Sequence, residues 1–305
     1  MRVVLTGASG DFGTALLRRL ITESWVDSIV AVSRSPLRVS DPRIESVALD
    51  LASDPVEPVM AGADVVIHCA FVVEEPRDKA AARRVNVDGS ARVLRAADAA
   101  GVGVCVMTSS VNAYGPRGGP QILDESAPIG AGPEHYYLHH KALVEEDIRR
   151  WRAQSDGRMA VTVLRPTYIV GPDMNNSGLE SMRARIVAYP TPTRSYYQFL
   201  HQDDLADAYV RVIRERADGE FNLGAEDAVT VAELCRWNRA LCLPLPLGLA
   251  GRLADLGFRL RLLRYSSHWV TPGEPVTTSR RLRDATGWRP SRTSAQAARL
   301  MLNGR

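Results

Sequence analysis

An apolar strand that runs straight into glycines set three apart, and from them into a helix, is compatible with few folds. This chain opens with such a segment, Val3-Val4-Leu5-Thr6-Gly7-Ala8-Ser9-Gly10-Asp11-Phe12-Gly13, whose turn reads G-x-x-G-x-x-G. Gly7 permits the tight turn, Gly10 lets a ligand approach the backbone, and Gly13 lets the helix pack closely on the strand. Free N–H groups and the dipole at a helix N-terminus attract an anion such as a pyrophosphate. The segment therefore predicts a dinucleotide lying along Gly7, Gly10, Asp11, Phe12 and Gly13.

The chain beyond it alternates short apolar runs with amphipathic stretches, the pattern of parallel strands joined by crossover helices. Strands are predicted at 2–6, 28–32, 46–49, 65–69, 104–109 and 161–164, and helices at 13–23, 80–100 and 136–154. The runs VVIHCA and VCVMTS are continuously apolar, as strands covered on both faces must be. The predicted class is α/β, a Rossmann-type doubly wound parallel sheet with a smaller, mostly helical C-terminal substrate lobe. After Arg165 the rhythm breaks: glycine, proline and asparagine gather at 171–178, and the prolines at 189–193 read as loop. A helix at 203–216 and a strand at 220–223 resume the pattern. Residues 1–165, with 199–224 returning, are thus expected to form the dinucleotide-binding core, and 166–198 with 225–305 the substrate lobe.

Charge and cysteine usage exclude several classes. The net charge of +3 over 305 residues comes from interspersed ions without a basic face, which argues against a nucleic-acid partner. Cys69, Cys105, Cys235 and Cys242 form no C-x-x-C pair, and the six histidines make no metal-ligand spacing with them, so no metal is expected. The thiols read as buried fillers in a reducing compartment. With no leader pattern and no long apolar run, a cytoplasmic protein without an integral membrane segment is expected. Leu249, Leu253, Leu256, Leu260 and Leu263 recur at helical spacing between Arg252, Arg259, Arg261 and Arg264. Such a helix can lie on an anionic membrane. The favoured expectation is a lobe helix with its leucines in the core and its arginines in water.

The end of the second strand, Ser33-Arg34, decides how the adenosine ribose is read. An acidic residue there accepts from a 2′-hydroxyl, whereas an arginine fork matches a 2′-phosphate. Arg34, assisted by Arg38, favours NADP over NAD. Asp50 and Leu51, after the third strand, are placed to meet the adenine.

Chemistry is carried by Ser110, at the end of a buried strand, and by Tyr137 and Lys141, four apart on a helix and so on one face of it. An ammonium beside a phenol lowers its pKa from about 10 and suits it to acid and base work, while the serine holds the substrate oxygen. Tyr136 competes with Tyr137, but only Tyr137 has a lysine at i+4.

With these residues in place, the chain resembles the extended short-chain dehydrogenase/reductase family, which includes NAD-dependent epimerases and dehydratases. The resemblance runs through TGASGDFG at 6–13, Asn86-Val87-Asp88-Gly89, TSSVNAYG at 108–115, YLHHK at 137–141 and LRP at 164–166. It continues in FLHQDDLADA at 199–208, FNLG at 221–224 and GWRP at 287–290. It implies that Ser110, Tyr137 and Lys141 are catalytic and that Lys141 also holds the nicotinamide ribose. It further implies that His68, Cys69, Ala70 and Asn86 line the cofactor, that Pro166 begins the segment near the nicotinamide, and that the protein is a homodimer.

Dehydratases and decarboxylases of that family carry an acid just after the catalytic serine or threonine, where this chain has Val111-Asn112. The asparagine and arginine that meet a sugar nucleotide are replaced by Tyr168 and Gln198, with Arg183, Arg185 or Arg194 as substitutes. The expected activity is an NAD(P)-dependent oxidoreductase moving hydride between nicotinamide and a ketone or secondary alcohol. Tyr189, Tyr196 and Tyr197 would suit an aromatic or apolar substrate. The alternatives are a nucleotide-sugar 4-epimerase with tightly bound NAD, and a dinucleotide sensor that does not turn over.

Overall fold

Seven runs form one parallel sheet in the structure, a computed structural model that describes residues 1–117, 119, 121–191 and 195–303. They are β1 (Arg2–Thr6), β2 (Ser28–Ser33), β3 (Ile44–Ala48), β4 (Val65–His68), β5 (Val104–Thr108), β6 (Ala160–Pro166) and β7 (Gly219–Leu223). Their order in space is β7-β6-β5-β4-β1-β2-β3. The chain therefore works outward from β1 in one direction, then crosses back to β4 and continues in the other. The reversal opens a crevice beyond the C-terminal ends of β1 and β4, where sheets of this kind bind ligands.

Alternation along the strands sends side chains into two cores. Val3, Leu5, Ile29, Ala31, Ile67 and Val106 pack on one face beneath helix α1 (Asp11–Leu20). Val4, Val30, Val66, Cys105, Val161 and Val163 pack on the other. Helices on both faces make the sheet doubly wound, and the continuously apolar runs follow from that double cover.

The helix expected at 80–100 is divided into α2 (Lys79–Arg83), a π-helical turn (Arg84–Gly89) and α3 (Ser90–Ala99). Wide turns of this kind are rare and gather at functional places. Here the Ser90 hydroxyl donates to Asn86 O at 2.5 Å inside the wide turn. Helix α4 (Tyr136–Arg152) follows β5, and α5 (Gln202–Arg214) leads into β7.

The lobe departs from expectation in two places. The segment around Tyr189, expected as loop, is a strand (Ile186–Thr191) paired in parallel with Leu241–Pro246. Pro190 in this strand and Pro244 and Pro246 in its partner are tolerated because a two-stranded ribbon has only edges, and an edge position can do without a ladder N–H. Most leucines of the basic segment face the opposite way from that expected. Helix α6 (Leu247–Arg259) buries Ala254 and Gly257 and exposes Leu249, Leu253 and Leu256, with Leu260 continuing the row, while Leu263 folds back on Gly257. The small residues explain it. A Cβ at Gly257 would stand 2.7 Å from Leu263 Cδ1, so the helix rests on its small face and its large side chains are left outside. Cys235 and Cys242, read as separate fillers, lie with their sulfurs 2.7 Å apart as free thiols. Among the described residues no helix is long and apolar enough to cross a membrane.

Candidate active site

The crevice at the strand reversal is a groove lined by Gly7, Gly10, Ser33, Arg34, Asp50, Leu51, Cys69 and Ala70. Gly7 has φ +73°, and a Cβ on it would meet Ala70 N at 2.5 Å, so β1 and β4 deliver their turns into contact only because glycine stands there. A Cβ on Gly13 would meet Gly7 O at 2.2 Å. The helix N-terminus is thereby drawn against the turn, and its N-cap, Gly10, lines the groove.

Six other residues assigned to the cofactor, Asp11, Phe12, Arg38, His68, Asn86 and Pro166, stand off the groove lining. Arg38 lies 3.6 Å from Asp11, and Asp11 also accepts from Asn175 N at 2.8 Å. Burial raises the Asp11 carboxyl against that backbone bond and against the charge of Arg38. Phe12 packs against the first core. Asn86 is fully buried behind the groove wall, where its amide accepts from Val72 N at 2.6 Å and donates to Val72 O at 3.1 Å. It thus holds the strip after β4 in place. His68, pushed down to about 3 by burial and then by the charge of Lys141, is neutral. It bridges Thr6 Oγ1 at 2.7 Å and Ser90 Oγ at 2.8 Å, tying β1, β4 and α3 together. Pro166 ends β6, buried beside Leu223 of β7.

Ser110, Tyr137 and Lys141 meet at the exit of β5. Ser110 caps the short turn Val111–Tyr114, its hydroxyl accepting from Asn112 N at 3.2 Å, and it lies near enough to Tyr137 to pull its phenol down. The Tyr136 hydroxyl is taken instead by Val73 O at 2.6 Å. Burial raises the Tyr137 phenol above its ordinary value, the Ser110 hydroxyl opposes this, and the charge of Glu274 adds to it.

Lys141, read from the sequence as the group that acidifies Tyr137, is turned elsewhere. Its Nζ donates to Thr108 O at 2.8 Å and lies 3.5 Å from the centroid of the Phe71 ring, against 5.8 Å from that of Tyr137. Burial brings it down to about 7, opposed by Cys69 and Glu145. Such an amine is largely neutral above that pH and exerts little field on the phenol.

Beneath the site lies a buried ion pair. Arg165 Nη2 donates to Glu145 Oε2 at 2.6 Å and its Nε to Oε1 at 3.0 Å, with side chains 0% and 1% exposed. Glu145, one helical turn beyond Lys141, also accepts from the Ser109 hydroxyl, and Arg165 Nη1 donates to Tyr114 OH at 2.7 Å. The pair fixes the exits of β5 and β6 to α4 and so sets where Ser110 and Tyr137 sit.

Near Tyr137 lie Trp269, Phe71 and Glu274, which motif reading missed. Trp269 stacks on the Tyr137 ring with centroids 4.9 Å apart, and Phe71 meets it edge-on at 5.6 Å. Tyr168, Tyr197 and Phe199 cluster together. The carboxyl of Glu274 reaches Asn112 Nδ2 at 3.2 Å. Glu274 and Trp269 lie in an irregular stretch far along the chain, where neither spacing nor periodicity marks a site. Of the residues considered for a sugar diphosphate, Gln198 is buried and spends its amide on Ala225 O, Thr277 O and Thr277 N at 2.7–2.9 Å. Arg183 Nε donates to Met301 O at 3.1 Å, Arg185 is exposed, and Arg194 lies outside the described residues.

Residues 3–224 match the family described as NAD dependent epimerase/dehydratase. A Streptomyces protein named 3-diazoavenalumate denitrifying reductase is 29% identical, the match covering 96% of this chain and 97% of that one. Among solved structures, MoeE5 with UDP-glucose and NAD superposes with a TM-score of 0.79 at 21% identity, covering 99% and 97% of the two chains. The UDP-glucose 4-epimerase of Thermus thermophilus with NAD superposes with a TM-score of 0.77 at 19% identity, covering 99% and 98%.

Proposed function

The chain belongs to the NAD dependent epimerase/dehydratase family, and from that membership we propose that it is an NADPH-linked reductase of an aromatic or apolar ketone. The observation that carries the proposal is the character of the wall around Tyr137. It is aromatic, through Phe71 and Trp269, and Gln198 is a neutral amide already satisfied by backbone where a substrate diphosphate would need a cation. The Streptomyces relative, named for a reductase activity, supports the same reading.

In this mechanism Ser110 holds the substrate oxygen and Tyr137 gives it a proton. A phenol raised by burial is protonated at neutral pH, which suits an acid in the reducing direction. The dinucleotide, when bound along Gly7 and Gly10, supplies the hydride. Trp269 and Phe71 exclude water from the reacting carbon, and Lys141 offers an N–H donor beside the floor of the groove. The direct test is loss of absorbance at 340 nm with NADPH and a panel of aryl ketones. Saturable oxidation supports the reading. A purified protein that instead retains NAD, ignores every ketone and is stabilised by a UDP-sugar would be an epimerase.

The preference for NADP rests on Arg34, exposed at the rim of the groove just after β2, in the place where an acidic residue would receive a ribose hydroxyl. Arg34→Gln is expected to weaken NADPH binding by about tenfold or more, the scale of a lost charge-assisted pair, and to leave NADH binding nearly unchanged. Fluorescence titration measures both. Equal losses for the two nucleotides would remove Arg34 from phosphate recognition.

A further inference from the structure

We propose that Glu274 is a second polar anchor of the substrate pocket, and that the substrate carries a hydroxyl or N–H donor within a few bonds of the carbonyl carbon held by Ser110 and Tyr137. The inference rests on the reductase reading above and extends it to a substrate class.

Glu274 is delivered to the site from a distant part of the chain. Its backbone N–H donates to Tyr196 O at 3.3 Å, which seats it beside the short strand Tyr196–Tyr197. Gly273, at φ +146° and with Ser195 Cα 3.3 Å from where a Cβ would sit, makes the close approach possible. The side chain then reaches the catalytic serine through one amide: Asn112 Nδ2 donates to Glu274 Oε1 at 3.2 Å and to Ser110 Oγ at 3.3 Å. The sequence offers Val111-Asn112 where an acid would follow the serine, and the fold brings a carboxyl to that asparagine from elsewhere.

One of the carboxyl oxygens is left over. Oε2 is shut off from solvent and has no hydrogen-bond partner among the described residues. An ionised carboxylate accepts several hydrogen bonds, and burying one of its oxygens with none is costly, so native folds rarely keep such an atom without a use. The titratable groups whose phenols feel its charge are Tyr137 on α4, Tyr168 on the strand Tyr168–Val170, and Tyr197. Burial pushes Glu274 up to about 7, against the Asn112 hydrogen bond, and no cation among the described residues offsets it. A substrate donor is the partner that the open oxygen lacks, and the Ser110–Asn112–Glu274 relay sets that donor close to the reacting carbonyl.

Two measurements decide the matter. The first needs no substrate. A carboxyl raised in the fold from 4.5 to about 7 weakens the fold above that range, and the cost fades as pH falls through it. Glu274→Gln is therefore expected to unfold a few degrees above wild type near pH 8, and to lose that advantage near pH 5. A variant less stable than wild type near pH 8 would make Glu274 a structural group and overturn the proposal.

The second measurement compares kcat/KM for an aryl hydroxyketone and its O-methyl ether. Wild type is expected to favour the free hydroxyl by about ten- to a hundredfold, the worth of a hydrogen bond to a charged group. Glu274→Gln and Glu274→Ala should level that ratio, whatever their absolute rates with the ether. The same preference in wild type and variants would overturn the anchor. If wild type reduces no carbonyl compound at all, the reductase reading fails, and the unfolding comparison alone then decides for or against Glu274.

Discussion

Tyr137→Phe is expected to lower kcat by about a thousandfold while leaving NADPH affinity within about twofold, since a positioned proton donor is worth roughly 10²–10⁴ in rate. The substitution keeps the ring and removes one oxygen. Stacking on Trp269 and the edge contact with Phe71 involve ring faces and edges that phenylalanine retains, so the pocket wall should survive. What disappears is the phenolic proton. Because burial holds the phenol protonated well beyond neutrality, no ionised fraction is lost and the effect falls on proton donation alone. Steady-state kinetics with cofactor titration in parallel make the check. A variant that keeps a tenth of wild-type turnover would remove Tyr137 from the mechanism.

The second large effect is on stability. Glu145→Gln leaves the Arg165 guanidinium fully buried with no countercharge, which costs about 3–5 kcal/mol in comparable pairs. At roughly 2–4 °C per kcal/mol for a chain of this order, the unfolding midpoint should drop by about 6–20 °C. The damage reaches the site as well, because Glu145 also receives the Ser109 hydroxyl and Arg165 supports Tyr114, the residues that flank and follow Ser110. Replacing both partners together, Glu145→Leu with Arg165→Met, should recover part of the loss, since two apolar groups leave no isolated charge behind. Thermal unfolding followed by circular dichroism measures each. A single variant within about 1 kcal/mol of wild type would show that the arginine finds another partner.

The sheet was legible in the sequence for a physical reason. Strands covered on both faces must be apolar throughout, and VVIHCA and VCVMTS announce themselves. The glycine turn was legible because Gly7 and Gly13 occupy places where a single added carbon meets backbone. Orientation was less so. Spacing puts Leu249, Leu253, Leu256 and Leu260 on one stripe of a helix but does not say whether that stripe or the opposite one, with Ala254 and Gly257, lies inward. Small residues permit closer packing, and here they took the inner side. Motif resemblance set Asn86 along the cofactor, yet it cannot reveal a π-helical turn, and the amide is spent on Val72. Lys141 sits one helical turn from Tyr137 as its spacing requires, but a long flexible side chain chooses its acceptor in three dimensions, and it chose Thr108 O. Trp269 and Glu274 were invisible because contact between distant, irregular segments leaves no period to read.

The outward leucine row has a cost that folding of a single chain does not remove. Each such side chain keeps up to roughly 1.5–3 kcal/mol of unfavourable hydration that burial would relieve. The surface of this lobe is therefore unusually sensitive to whatever changes the cohesion of water. Sulfate and phosphate salts sharpen the penalty at that edge, and urea or cooling blunts it.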